Sequence, residues 1–277
     1  MQKLKIEGGG RLSGELEIQG AKNSVLPLLS ACVLVNGEVR LKRCPSLSDV
    51  YSAMRILSSL GCKCRRSAAG EVYIDTRGLE STAVSDSLMR QMRSSIIFLG
   101  ALLGRAGECT LSFPGGCELG PRPIDLHLSA LRQLGAKITE EHGALICRCA
   151  NGLRGTQIDL SFPSVGATEN IMLAAVCAKG ETVISNAARE PEICDLADFL
   201  NLCGAKIRGA GSQRIVVEGV PRKNLHGCEF EVMPDRIAAV TYMCAAAATG
   251  GEVSLHGARM GDIEAVVNLL RQAGCRI

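Results

Sequence analysis

The chain has 277 residues, 47% of them hydrophobic and 21% charged, with a net charge of +3; this is globular composition, with length for about two domains. So small a charge, with no Trp and 3% aromatic residues, excludes a nucleic-acid interface. No uninterrupted apolar run is long enough to span a bilayer, and residues 1–7 lack the apolar stretch of an export signal, so the expected setting is the cytoplasm.

In chain order, "SVLPLLSACVL" predicts an apolar helix, "GEVRLK" a strand, "VYSAMRILSSLG" a second helix and "EVYIDT" a closing strand. A second stretch repeats the order with the strand "GECTLSF" and the helix "LHLSALRQLG". A third reads "IMLAAVCAK", "GETVIS", "LNLCGAK" and "RIVVEGV". A fourth opens with "IAAVTYMCAAAATG" and "GEVSLH" and reaches "LRQAGCR". The Gly-Glu turns begin at Gly37, Gly107, Gly180 and Gly251, spaced by 70, 73 and 71 residues. The glycines that end the second helices are Gly61, Gly135, Gly204 and Gly274, spaced by 74, 69 and 70. Two marks in one rhythm define a repeated α/β unit of roughly seventy residues, each second helix ending in a glycine at its C′ position. The fourth unit stops where its closing strands are due, so the chain is expected to be cut short there.

Fourteen cysteines in a chain of this size without an export signal are expected to be free thiols in a reducing compartment. Cys62-x-Cys64 and Cys147-x-Cys149 lie in predicted strands and four His are scattered, so no structural metal is expected.

Lys22, Arg93 and Arg236 lie 15, 14 and 15 residues before their Gly-Glu turns, at the starts of apolar helices. A cation at that end opposes the helix dipole. Long side chains can simply reach solvent there; recurrence in register points instead to anions docked at the helix starts. The third unit offers Ser164, Val165 and Gly166 with free backbone N–H groups and no charge, an arrangement suited to a diphosphate. Asn23 can cap its helix or hold a substrate group. Cys117 sits in the glycine-rich loop "FPGGCELGPRPIDLHL" five residues before Arg122, a setting that lowers a thiol pKa. Such a thiol can donate a proton, attack or fill space. His127 follows on an apolar helix, where a packed or capping role is expected.

At these residues the sequence resembles a known family. "GAKNSVLPLL", "MRSSI", "PGGCELGPRPIDLHL", "FPSVGATENIM", "NAAREPEI" and "MPDRI" are similar to motifs of the enolpyruvyl transferases, and the Cys-bearing loop to those acting on UDP-N-acetylglucosamine, the 1-carboxyvinyltransferases. The resemblance runs from about residue 4 to the C-terminus. It implies an inside-out α/β barrel fold of three units per domain. Residues 21–229 would form the complete domain, and 1–20 with 230–277 part of a second, incomplete one. It implies transfer of the enolpyruvyl group of phosphoenolpyruvate to the 3-hydroxyl of UDP-N-acetylglucosamine, the committed step toward peptidoglycan, with sensitivity to the epoxide fosfomycin. Both substrates are small molecules; no cofactor, metal, nucleic acid, membrane or obligate protein partner is implied. Lys22, Asn23 and Arg122 would contact phosphoenolpyruvate. Arg93, Arg122, Pro123, Ile124, Asp125, Leu126, Phe162, Pro163, Ser164 and Val165 would contact the nucleotide sugar. Cys117 would be the general acid and would also form a covalent adduct. The chain departs from the family at Ala238-Ala239-Val240, where Glu-Ala-Gly is usual. The family's aspartate base and several arginines come from a region beyond Ile277.

Overall fold

The structure, a computed structural model, describes residues 5, 7–115 and 123–277. After β1 (Ser13–Glu17), the first repeat comprises α1 (Lys22–Ala31), β2 (Glu38–Lys42), α2 (Ser48–Ser59), β3 (Lys63–Arg66) and β4 (Val72–Asp75). The second comprises β5 (Ala83–Val84), α3 (Asp86–Met89), α4 (Phe98–Ala106), β6 (Glu108–Ser112), α5 (Asp125–Gln133), β7 (Lys137–Glu141) and β8 (Ala144–Arg148). The third comprises β9 (Gln157–Asp159), α6 (Val165–Ala175), β10 (Glu181–Ser185), α7 (Pro191–Leu202), β11 (Lys206–Arg208) and β12 (Arg214–Glu218). Then come β13 (Glu229–Glu231), α8 (Arg236–Thr249), β14 (Glu252–His256) and α9 (Met260–Gln272).

The chain forms two compact units, residues 22–233 and residues 1–21 with 234–277. In the larger unit each repeat builds one four-stranded sheet of the same topology: β13-β2-β4-β3, β5-β6-β8-β7 and β9-β10-β12-β11. In every sheet the strand after the Gly-Glu turn pairs in parallel with an edge strand and antiparallel with the third. The edge strand of the second and third sheets comes from the segment just upstream. That of the first, β13, returns from the far end of the unit, which ties its end to its beginning. The sequence-based border at 229/230 falls inside β13, and the unit continues to Met233, whose N–H donates to Asp195 Oδ2 at 3.3 Å.

The helices lie together beneath these sheets. α4 packs on α6 and α1, α5 on α6, and α7 on α1 and α6. Residues 24–31 of α1 and nine of the eleven residues of α6 are buried; both helices are mostly apolar and take a few polar side chains, Ser24, Ser30, Thr168, Glu169 and Asn170, into the interior with them. The second helices α2 and α5 bury one face only. Two glycines permit the tightest helix contact: a Cβ on Gly100 would lie 2.2 Å from the Asn170 carbonyl oxygen, and one on Gly104 would lie 2.9 Å from that of Leu173. The glycines ending the second helices, Gly61, Gly135, Gly204 and Gly274, all have φ between 96° and 102°, as their C′ assignment requires.

In the smaller unit β1 pairs in parallel with β14, so the N-terminal strand serves as the edge strand of the fourth repeat. α8 and α9 pack on each other and α8 on β14. Only Ala239 and Ala246 of α8 and Ile263 and Val267 of α9 are buried. Among the described residues no helix is long and apolar enough to cross a membrane, and all thirteen described cysteines are free.

Candidate functional site

The helix starts stand where the cation spacing put them. Lys22 is the first residue of α1, Arg93 opens the 3-10 turn (Arg93–Ile97) that leads into α4, and Arg236 is the first residue of α8. Lys22 Nζ is 2.7 Å from Asp49 Oδ2 at the start of α2, so its charge is met by a half-buried carboxylate rather than by solvent alone. Asn23 is exposed beside it. Pro27 has no N–H, so the Asn23 carbonyl lacks its i+4 donor within α1. Ser24, the next residue, is buried and donates its hydroxyl to Asp195 on α7.

Two stretches expected to hold a nucleotide sugar meet at α5 and α6. Pro123 and Asp125 are exposed, Ile124 is buried and Leu126 half-buried at the start of α5. Phe162 and Pro163 are exposed, Phe162 at 64% despite its size. Ser164 caps α6, its Oγ accepting from Ala167 N at 3.3 Å. The N–H groups of Val165 and Gly166 have no acceptor among the described residues. His127 of α5 touches the start of α6: a Cβ on Gly166 would lie 3.0 Å from its Cε1. Arg93 is half-buried and near enough for its charge to act on His127. Burial first, and Arg93 second, push the imidazole down to about 4, so it is neutral near pH 7.

Cys117 and Arg122, which the sequence reading expects in the site, lie outside the described residues. Pattern reading also missed a buried acidic group. Glu169 on α6 is 3% exposed, and burial, then Glu192 and Glu190, hold its pKa well above the usual carboxylate range. A carboxylate inside the otherwise apolar run of α6 is the signal that was available. Asn170, equally out of place there, accepts from Gly100 N at 2.6 Å and donates to Ile96 O at 3.1 Å.

A family profile described as EPSP synthase (3-phosphoshikimate 1-carboxyvinyltransferase) matches residues 6–277. The chain belongs to that family. Over all 277 residues it is 50% identical to UDP-N-acetylglucosamine 1-carboxyvinyltransferase 2 of Caldanaerobacter subterraneus subsp. tengcongensis, covering 66% of that protein. It is 46% identical to the UDP-N-acetylglucosamine 1-carboxyvinyltransferase of Nitratidesulfovibrio vulgaris strain Hildenborough, covering 65% of it. The chain thus spans just under two thirds of the length of these relatives. Among solved structures, the enolpyruvyl transferase NikO from Streptomyces tendae superposes with TM-score 0.76 at 23% identity, over 86% of this chain and 56% of that one. EPSP synthase from Acinetobacter baumannii does so with TM-score 0.73 at 22% identity, over 96% and 60%. The fold is that of the enolpyruvyl transferases.

Proposed function

We propose that this chain carries the substrate-binding part of a UDP-N-acetylglucosamine 1-carboxyvinyltransferase working in the cytoplasm. The observation that supports it most is the identity of 44–50% with proteins of that name over the whole chain. The 3-hydroxyl of the sugar adds to C2 of phosphoenolpyruvate while C3 takes a proton, giving a tetrahedral ketal. Loss of phosphate and of a C3 proton then leaves the enolpyruvyl ether. Cys117 supplies the proton to C3. Lys22, Asn23 and Arg122 hold phosphoenolpyruvate, cations offsetting the charge that phosphate takes away. Arg93, Arg122 to Leu126 and Phe162 to Val165 hold the nucleotide sugar.

The relatives extend about half as far again beyond the matched region. The base and further arginines belong there, so the 277 residues alone bind UDP-N-acetylglucosamine but turn over little or not at all. Loss of a general base costs roughly 10²–10⁴ in rate. Calorimetry with UDP-N-acetylglucosamine tests the binding, and phosphate release from added phosphoenolpyruvate tests the turnover. No heat at millimolar ligand with folded protein refutes the assignment. Phosphate release with shikimate 3-phosphate as acceptor, and none with the nucleotide sugar, assigns the chain to the 3-phosphoshikimate branch.

A further inference from the structure

Two thiols stand side by side where α7 meets the approach to β13. Cys203 caps the C-terminal end of α7 and Cys228 immediately precedes β13; their Sγ atoms are 3.4 Å apart, although 25 residues separate them in sequence. The backbone fixes this approach. His226 N donates to Cys203 O at 3.0 Å, and Arg40 N on β2 donates to Cys228 O at 2.9 Å. The rings of Phe199 on α7 and Phe230 on β13 meet edge to face, with centroids 5.5 Å apart. The two sulfurs are not equivalent. Cys203 is fully buried, whereas Cys228 is half-buried beside exposed His226. Negative charge is better kept on the sulfur nearer water, so Cys203 Sγ–H donates to Cys228 Sγ. That contact holds the Cys228 pKa below the usual thiol value, and the same contact and burial raise that of Cys203. Cys228 is therefore both the reachable sulfur and the one that ionises. Cys109 and Cys147 also lie opposite each other, on β6 and β8, but both are buried, so a reagent in water reaches neither. Among the described residues no group of three or more His, Cys, Asp and Glu is placed to hold a metal ion; the chemistry open to Cys203 and Cys228 is that of a dithiol.

We infer that Cys203 and Cys228 are a reversible modification site, oxidised by small disulfides of the glutathione type, and that their disulfide form staples α7 to the start of β13. The Cys228 thiolate attacks one sulfur of the small disulfide, whose S–S bond breaks; one small thiolate leaves, and Cys228 carries a mixed disulfide. Cys203 then gives its proton to solvent, its sulfur attacks that of Cys228, and the second small thiolate leaves. The leaving thiolates take up the protons that the two cysteines lost. Two protein thiols are thus oxidised to one disulfide while the small disulfide is reduced to two thiols. The new bond closes a loop through β11 and β12, which constrains the unfolded chain. Since β13 completes the first sheet by pairing with β2, the staple holds that sheet's edge.

The test incubates the full, reduced chain with glutathione and glutathione disulfide at ratios from reducing to oxidising. Samples are quenched in acid, unfolded, alkylated with iodoacetamide and mapped by peptide mass. A cross-linked pair of peptides holding Cys203 and Cys228 should appear before any other internal disulfide, and dithiothreitol should remove it. Cys203→Ala should stop at a mixed disulfide of glutathione on Cys228, and Cys228→Ser should leave Cys203 unmodified. Denaturant titration should give oxidised wild type a midpoint above the reduced form, and Cys228→Ser no such gain. The mapping needs only wild type, so it decides even where a variant fails to fold. A Cys109–Cys147 disulfide forming first, glutathione on exposed Cys244 with Cys203 and Cys228 still alkylated, or an unchanged or lower midpoint of the oxidised wild type overturns the inference.

Discussion

His127 and Glu169 are ionisable groups held neutral by burial, and their effects on stability run in opposite directions with pH. The His127 pKa falls from 6.5 to about 4 on folding. Its contribution is complete above pH 6.5 and is lost as pH falls toward 4, because the unfolded chain takes up the proton first. The full shift amounts to about 3 kcal/mol. Denaturant titrations at several pH values should therefore show His127→Phe gaining on wild type between pH 6.5 and 4; parallel curves would refute the assignment of a neutral ring. Glu169 does the reverse. Below its ordinary pKa near 4.5 both states are protonated, and as pH rises the unfolded chain ionises while the folded one does not. Glu169→Gln, which mimics the protonated acid, should raise the melting temperature at pH 7 and lose that advantage in acid. The thiols sort by the same physics. Burial pushes Cys44 and Cys62 up to about 12 and Cys177 to about 11, so they are poor nucleophiles. Cys244 is exposed and will accept general alkylating reagents. A phosphonate epoxide such as fosfomycin should instead label Cys117 alone, read by peptide mass mapping; label on Cys244 in preference would count against the loop thiol as the acid.

Glycine geometry decides what the repeated elements tolerate. Gly61 and Gly135 occupy equivalent helix ends with φ of 102° and 99°, and a sequence comparison makes them interchangeable. Their surroundings differ. A Cβ on Gly61 would stand 2.2 Å from the Gly78 carbonyl oxygen, whereas on Gly135 the nearest atom is Cys149 Sγ at 3.9 Å. Gly135→Ala should cost only the left-handed strain, about 1–2 kcal/mol. Gly61→Ala adds a backbone collision and should cost clearly more; thermal melts that rank the two equally would contradict this packing. Sequence periodicity located these helices and the Gly-Glu strands because each element carries its own pattern. It did not locate β13, a three-residue strand that exists only because β2 lies alongside it.

The two compact units differ in how much they bury. α6 buries nine of its eleven residues, while α8 buries two of fourteen and β14 none fully. A two-stranded sheet with two half-covered helices is marginal in water. Amides of α8 and β14 should exchange with deuterium well before those of α4 and α6, and equal protection would show that the smaller unit is stabilised in a way its burial does not reveal. The sequence by itself determined the repeat, the order of its elements, the cations at three helix starts and the family, since all of these are local patterns or spacings along one chain. Only the tertiary structure decided that β13 completes the first sheet, that Ser24 on α1 meets Asp195, 171 residues away, and that Asn170 meets His127. Those pairings depend on which buried faces meet. A polar side chain in an apolar helix announces that it needs a partner, but close packing of distant segments chooses which one.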